Sequence, residues 1–173
     1  MERFWLGGMY MNILFVCTGN TCRSAMAEGL AKKEIKNKNL NINVCSAGIF
    51  AMQGEHASYN SVAIMKEYDV DIVTHTATAI ENFDIGKMDL ILCATNNHKN
   101  QVIMRYPNVK EKVFTLKEYA GLDKNGEDMD IKDPWGYDIN SYRMCAAEIS
   151  LCVDKIIEKI ENEKGENSGE FNR

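Results

Sequence analysis

Short apolar runs alternate along this chain with segments of helical period, and polar, turn-forming stretches separate them. That alternation predicts an α/β fold. Ile13-Leu14-Phe15-Val16 is a compact β-branched, aliphatic and aromatic run, as expected of a strand covered on both faces. Gly19 and Asn20 follow, two residues that tolerate positive φ, and then Ala25 to Glu34 reads as a helix. Ser24 is placed as its N-cap, Glu28 stands four residues before Lys32, and Gly29 is its weak point. Ile42, Val44 and Cys45 mark a second strand ending in Ser46-Ala47-Gly48. Ala57 to Tyr68 spaces Val62, Ile64, Met65 and Tyr68 as a helix does, and Thr78 is placed to cap a short helix ending near Phe83. Lys87 to Ala94 holds a third strand, with Thr95 or Asn96 capping a helix that stops at Pro107. Lys112 to Leu116 is a fourth strand. After a polar loop, Asp138 or Asn140 caps a last long helix whose apolar stripe runs Ile149, Cys152, Val153, Ile156, Ile157 and Ile160. The pattern predicts a single three-layer domain over residues 12–163, with about four parallel strands and helices on both faces. Residues 1–11 are expected to be a peripheral extension and 164–173 a flexible acidic tail.

Composition narrows the classes. The 173 residues are 45% hydrophobic and 26% charged, which suits one soluble domain with a full core. A net charge of −5 argues against nucleic acid or an anionic membrane as partner. No apolar run is long enough to span a bilayer. The segment after Arg3 only superficially resembles a signal peptide, because Gly7, Gly8 and Asn12 interrupt it. Six cysteines without zinc-like spacing fit a reducing, cytoplasmic setting. The chain is read as a monomer.

The chemistry concentrates where the first strand meets the first helix. Cys17 stands at the mouth of the turn and Arg23 follows at the end of a Cys-x5-Arg spacing. A loop of consecutive N–H groups at a helix N-terminus is an anion nest, and a guanidinium grips two phosphate oxygens at once. The positive potential there favours a thiolate at Cys17, a nucleophile aimed at phosphorus. Such an attack needs a proton for the leaving group. Asp133, fixed by Pro134 and walled by Trp135, is the best donor, although Asp-Pro also simply opens turns. Ser24 either caps the helix or stabilises the thiolate, and the two roles are compatible. Asn20 either locks the loop with its side chain or supplies only a left-handed residue. Ser46 and His75 are candidates for a polar network beneath the loop, while His56 and His98 read as surface residues. Cys22, on the same loop, either traps an oxidised Cys17 as a disulfide or is a small apolar filler. Cys45, Cys93, Cys145 and Cys152 fall on apolar positions and read as core.

Val16-Cys17-Thr18-Gly19-Asn20-Thr21-Cys22-Arg23-Ser24 resembles the signature loop of the low-molecular-weight protein-tyrosine phosphatase family. Met26-Ala27-Glu28, Ser46-Ala47-Gly48 and Asp133-Pro134-Trp135-Gly136 fall in that family's order. The resemblance covers roughly residues 12–160 and implies a flavodoxin-like fold and a phosphatase without metal or cofactor. It implies Cys17 as the residue that becomes phosphocysteine, and Arg23 with the amides of the Thr18–Ser24 loop as holders of the phosphoryl oxygens. Asp133 is then general acid and later general base, and Asn20, Ser24, Ser46 and His75 support the loop. The resemblance implies a phosphorylated protein as substrate. Thr21, Phe50 and Val113-Phe114-Thr115-Leu116-Lys117-Glu118-Tyr119 resemble the bacterial protein-arginine phosphatase branch, whereas many tyrosine-specific members carry isoleucine at the Thr21 position. A guanidinium carries N–H donors that a threonine hydroxyl and a carboxylate accept. Two residues depart from the pattern: Ala25 stands where the family usually has proline, and Trp135-Gly136-Tyr137 where paired tyrosines are frequent. The competing readings are a tyrosine phosphatase with the same chemistry, a thiol-dependent arsenate reductase, and a phosphoprotein-binding module. Reductase chemistry needs a cysteine relay, and Asn100 stands where the cysteine after Cys93 is required. A binding module has no need of the Cys17 nucleophile.

Overall fold

The computed structural model describes residues 10–122 and 128–169. Four parallel strands, β1 (Met11–Cys17), β2 (Ile42–Gly48), β3 (Leu90–Cys93) and β4 (Val113–Thr115), form one sheet in the order β2-β1-β3-β4. The helices are α1 (Arg23–Asn37), α2 (Tyr59–Glu67), α3 (Asn96–Arg105), α4 (Leu116–Tyr119) and α5 (Ile139–Gly169). Ile13 and Phe15 of β1 face the layer built by α1 and α5, and Leu14 and Val16 face the layer that includes α3. All four side chains are essentially inaccessible. Each such burial stabilises the domain by about 1.5–3 kcal/mol. This two-sided burial is why β1 reads as an unbroken apolar run.

The chain leaves β1 for β2 on one side and later returns to β3 on the other. The carboxyl end of β1 is therefore a topological switch point, where a crevice opens between loops that diverge. Gly29, the weak point of α1, is a close-approach site: a Cβ there would meet Val70 and Ile72 at 2.8 and 2.9 Å. Helix propensity gives way to packing of α1 against the segment after α2.

Several sequence expectations are corrected. Met11 is not part of an extension: it opens β1, pairs with Ile42 and is 8% exposed. The acidic tail expected from residue 164 begins as helix instead, since α5 runs on to Gly169. Residues 1–9 and 170–173 lie outside the described residues. The helix after Thr78 is a single 3-10 turn, Ile80–Asn82, that Thr78 does not cap. Ser24 does not cap α1, which starts at Arg23 with Cys22 in the capping position and no side-chain cap. Cys45 is half-buried rather than core. Thr95 and Asp138 do act as caps, accepting the backbone N–H groups of His98 and Ser141. No helix among the described residues is long and apolar enough to cross a membrane.

Candidate active site

The loop from Cys17 to Arg23 joins β1 to α1, and its peptide planes are oriented by what its carbonyl groups touch. The Cys17 and Thr18 carbonyls accept from the N–H groups of Ile49 and Phe50, both at 2.9 Å. The Asn20 carbonyl accepts from His75 Nε2 at 2.8 Å, and that of Thr21 from the Ser58 N–H at 3.0 Å. In a trans peptide the N–H points opposite to the C=O. Four carbonyls turned outward therefore turn the N–H groups of Thr18, Gly19, Thr21 and Cys22 inward, into a nest that attracts an anion. The tightness of the turn also explains Gly48, where a Cβ would sit 2.5 Å from the Thr18 carbonyl oxygen.

Asn20 holds this shape. Its φ is 58°, and it is fully buried. Its Nδ2 donates to Ser24 Oγ and Ser46 Oγ, both at 2.8 Å, and its Oδ1 accepts from the Thr78 N–H at 2.9 Å. Ser46 in turn donates to the Glu28 carboxylate, which also lies 3.8 Å from His75 Nδ1 and 2.6 Å from Lys32 Nζ. Asn20, Ser46 and His75 thus form the expected network. Glu28, read from the sequence as a helix-pair partner of Lys32 and as part of the Met26-Ala27-Glu28 match, lies at the foot of this network.

Ser24 Oγ lies 2.9 Å from Cys17 Sγ and 3.4 Å from the Ala47 carbonyl. Its oxygen accepts the Asn20 amide, and its one proton has two acceptors, the Ala47 carbonyl at 3.4 Å and the sulfur at 2.9 Å, of which a thiolate is the nearer and the stronger. Arg23 is 5% exposed. Its Nη1 donates to the Ile131 carbonyl at 2.9 Å, and its Nη2 reaches Thr18 Oγ1 at 3.5 Å and Asp133 Oδ2 at 3.4 Å. Asp133 Oδ1 accepts from the Trp135 N–H at 3.1 Å. The wall expected of Trp135 does not enclose Asp133: the two are 70% and 51% exposed. The space between them is open.

That space is a cavity of about 320 Å³. Cys17, Thr18, Gly19, Thr21, Cys22 and Arg23 line it from the loop. Phe50, Met52 and Glu55 line it from the segment after β2, and Asp133 and Trp135 from the loop before α5. Asn20, Ser24, Ser46 and His75 stand in the supporting network. Met52 and Glu55 were not singled out from the sequence, because nothing in their spacing points to the loop.

His98, expected at the surface, is 4% exposed and lies behind the loop. Its Nε2 is 2.8 Å from Thr18 Oγ1 and its Nδ1 is 2.9 Å from Thr95 Oγ1. Burial, and then the charge of Arg23, push its imidazole down to about 4, so it is neutral at physiological pH. Cys22 Sγ contacts Ser58 Oγ at 3.3 Å and Tyr142 OH at 3.5 Å. Cys93 is fully buried in β3, and burial pushes its thiol far up. It offers no second thiol to the cavity. The arrangement presents an oriented thiol, an anion nest, a guanidinium fork and a half-exposed carboxyl group within one cavity, the parts of a nucleophilic displacement at phosphorus.

The sequence model of the low molecular weight phosphotyrosine protein phosphatase family matches residues 12–166. A protein-arginine-phosphatase of Geobacillus stearothermophilus is 38% identical, over 90% of this chain and all of that protein. A low molecular weight protein tyrosine phosphatase structure from T. tengcongensis is 40% identical, with a TM-score of 0.79 over 86% of this chain and 99% of the other. The structure of a YwlE arginine phosphatase mutant with a phosphorylated active-site serine is 34% identical, with a TM-score of 0.81 over 87% of this chain and 96% of the other.

Proposed function

This chain belongs to the low molecular weight phosphotyrosine protein phosphatase family, and on that premise we propose that it is a cysteine-dependent protein phosphatase acting on phosphoarginine. The Cys17 thiolate attacks phosphorus and forms the S–P bond as the P–N bond breaks. The electron pair of that bond stays on the guanidine nitrogen, which takes its proton from Asp133. A water molecule then gives a proton to Asp133 and attacks phosphorus, and the S–P bond breaks to return the thiolate and release phosphate. Arg23 and the inward N–H groups hold the phosphoryl oxygens through both steps. Arrival of the phosphoryl group takes the Arg23 fork, which now rests 3.4 Å from Asp133, and so releases that carboxylate for proton transfer. The phosphorylated active-site serine of the related mutant supports a phosphoryl group carried on a side chain.

The observation that carries the choice of substrate is Thr21 in the cavity lining. Its hydroxyl accepts an N–H of the guanidinium, a bond that an isoleucine leaves unmade. Curated relatives named protein-arginine-phosphatase support the same choice. Tyrosine phosphatase activity is the second reading, favoured by the exposed rings of Phe50 and Trp135, 64% and 70% accessible, which suit an aryl phosphate as well.

The test is kcat/KM for a phosphoarginine and a phosphotyrosine peptide of one sequence, with wild type and Thr21→Ile. Preference of the wild type for phosphoarginine, shifted toward phosphotyrosine by the substitution, supports the reading. Preference of the wild type for phosphotyrosine overturns the substrate assignment in favour of the second reading.

A further inference from the structure

We propose that Glu55 is a specificity-determining residue of this site, its carboxylate pairing with the guanidinium of the phosphoarginine whose phosphoryl group sits in the Cys17–Arg23 loop. The inference rests on the phosphoarginine reading and names a recognition element within it.

Glu55 lines the cavity on the wall that also carries Phe50 and Met52. Its backbone is fixed. The Glu55 N–H donates to the Met52 carbonyl at 3.1 Å, and its carbonyl accepts from the Ala77 N–H at 2.7 Å. Gly54, at φ 86°, makes the turn and donates to the Ala77 carbonyl at 2.8 Å. The bridge between His56 and Thr76 continues the attachment. With the backbone held in place, pairing with a ligand orders only the exposed side chain of Glu55.

The rest of the cavity accounts for its other polar groups. Arg23 and Asp133 face each other, and Thr18 meets His98. Among the described residues Glu55 alone of the cavity's charged groups has neither an ion-pair nor a side-chain hydrogen-bond partner, so folding does not use its charge. It is also the wrong charge for the phosphoryl end of the substrate. A carboxylate at the mouth of a phosphate site repels the dianion, and that penalty is offset only by a substrate bringing its own positive charge close behind the phosphorus.

A phosphorylated guanidinium does so. It keeps its positive charge and its remaining N–H donors beyond the P–N bond. Asp133 is committed to the bridging nitrogen and Thr21 accepts one bond, which leaves donors for Glu55. The guanidinium plane also stacks on aromatic faces such as Phe50 and Trp135. A phosphotyrosine ring offers no donor past the ester oxygen, so for that substrate Glu55 contributes only the repulsion. Thr21 and Glu55 then act from different walls on one group.

Glu55 touches the substrate equally before and during phosphoryl transfer, so its effect belongs in KM rather than kcat. The experiment measures both constants for the paired phosphoarginine and phosphotyrosine peptides with wild type, Glu55→Gln and Glu55→Lys. The expected result is a fall of roughly tenfold in the phosphoarginine-to-phosphotyrosine ratio of kcat/KM for Glu55→Gln, with a further fall for Glu55→Lys, carried by KM on phosphoarginine. The advantage of wild type over Glu55→Gln also shrinks as salt is raised. If wild type prefers phosphoarginine and the ratio stays within about twofold in both variants, or both substrates suffer equally, the role of Glu55 is overturned while the phosphoarginine reading stands. If wild type prefers phosphotyrosine, the reading fails and the inference with it.

Discussion

The sulfur of Cys17 lies 2.9 Å from the hydroxyl oxygen of Ser24. A hydrogen bond from a hydroxyl to a thiolate favours the charged form and weakens as the sulfur shares its electrons with phosphorus, returning when phosphocysteine breaks down. Ser24→Ala removes it at a buried position and leaves the Asn20 amide without one of its acceptors. The expected outcome is a kcat lower by roughly 10- to 100-fold, the range for a hydrogen bond to a charged group. Alkylation of Cys17 by iodoacetamide at neutral pH slows in parallel. Unchanged alkylation with a lowered kcat would place the role of Ser24 outside the thiolate.

Asn20 joins the loop to everything behind it. Asn20→Ala forfeits three side-chain hydrogen bonds and keeps a φ of 58° that alanine resists. The cost is about 2–4 kcal/mol, read as a fall in Tm together with a loss of turnover. Asn20→Gly separates the two causes, because glycine accepts the backbone angle and makes none of the bonds. If Asn20→Gly matches wild type in both readouts, the network is dispensable and only the angle matters.

The difference between these two sites and the rest marks what the sequence could reveal. The strand, turn, cysteine, arginine and serine of the loop are contiguous, so local chemistry alone exposes Cys17, Asn20, Arg23 and Ser24. The two-sided burial of β1 likewise shows in four adjacent residues, Ile13 to Val16. Ser24 reads as both a cap and a thiolate partner, because capping propensity and a thiolate contact favour the same residue types. Only the start of α1 at Arg23 separates the roles. His98 and Glu55 were not legible at all. His98 is buried by the packing of α3 behind Thr18, a contact between residues 80 positions apart. Glu55 reaches the cavity because the chain after Phe50 is tied to Thr76 and Ala77. Met11 was missed because its pairing with Ile42 is set by the register of β2.

Cys22 lines the cavity with Cys17 and is a free thiol. Peroxide converts the Cys17 thiolate to a sulfenic acid. The sulfur of Cys22 then attacks that sulfur, forming the disulfide and expelling the hydroxyl as water. Peroxide-treated wild type is expected to show a Cys17–Cys22 disulfide by mass spectrometry and to recover activity with dithiothreitol. Cys22→Ser is expected to pass to the irreversible sulfinic form. Equal recovery of the two proteins would leave Cys22 as a filler against Ser58 and Tyr142.

His98 supplies the pH dependence. In the folded chain its imidazole faces Thr18, Thr95, Arg23, Asp130 and Asp133, and burial with the Arg23 charge lowers it from 6.5 to about 4. The unfolded chain binds a proton there below about pH 6.5, while the folded chain does not until about pH 4. Stability therefore decreases as the pH is lowered across that window, by up to about 1.4 kcal/mol per unit, and is insensitive to this group above it. Replacing the imidazole by the amide of His98→Gln keeps a hydrogen bond to Thr18 and removes the proton uptake. Tm measured between pH 7.5 and pH 5 is expected to drop less in His98→Gln than in wild type, because the carboxylates titrate alike in both proteins and cancel in the comparison. At pH 7.5 the variant is the less stable of the two, having lost the bond that Nδ1 makes to Thr95. Parallel Tm curves would mean that His98 opens to water and takes up its proton in the folded state, and that Thr18 is held by something else.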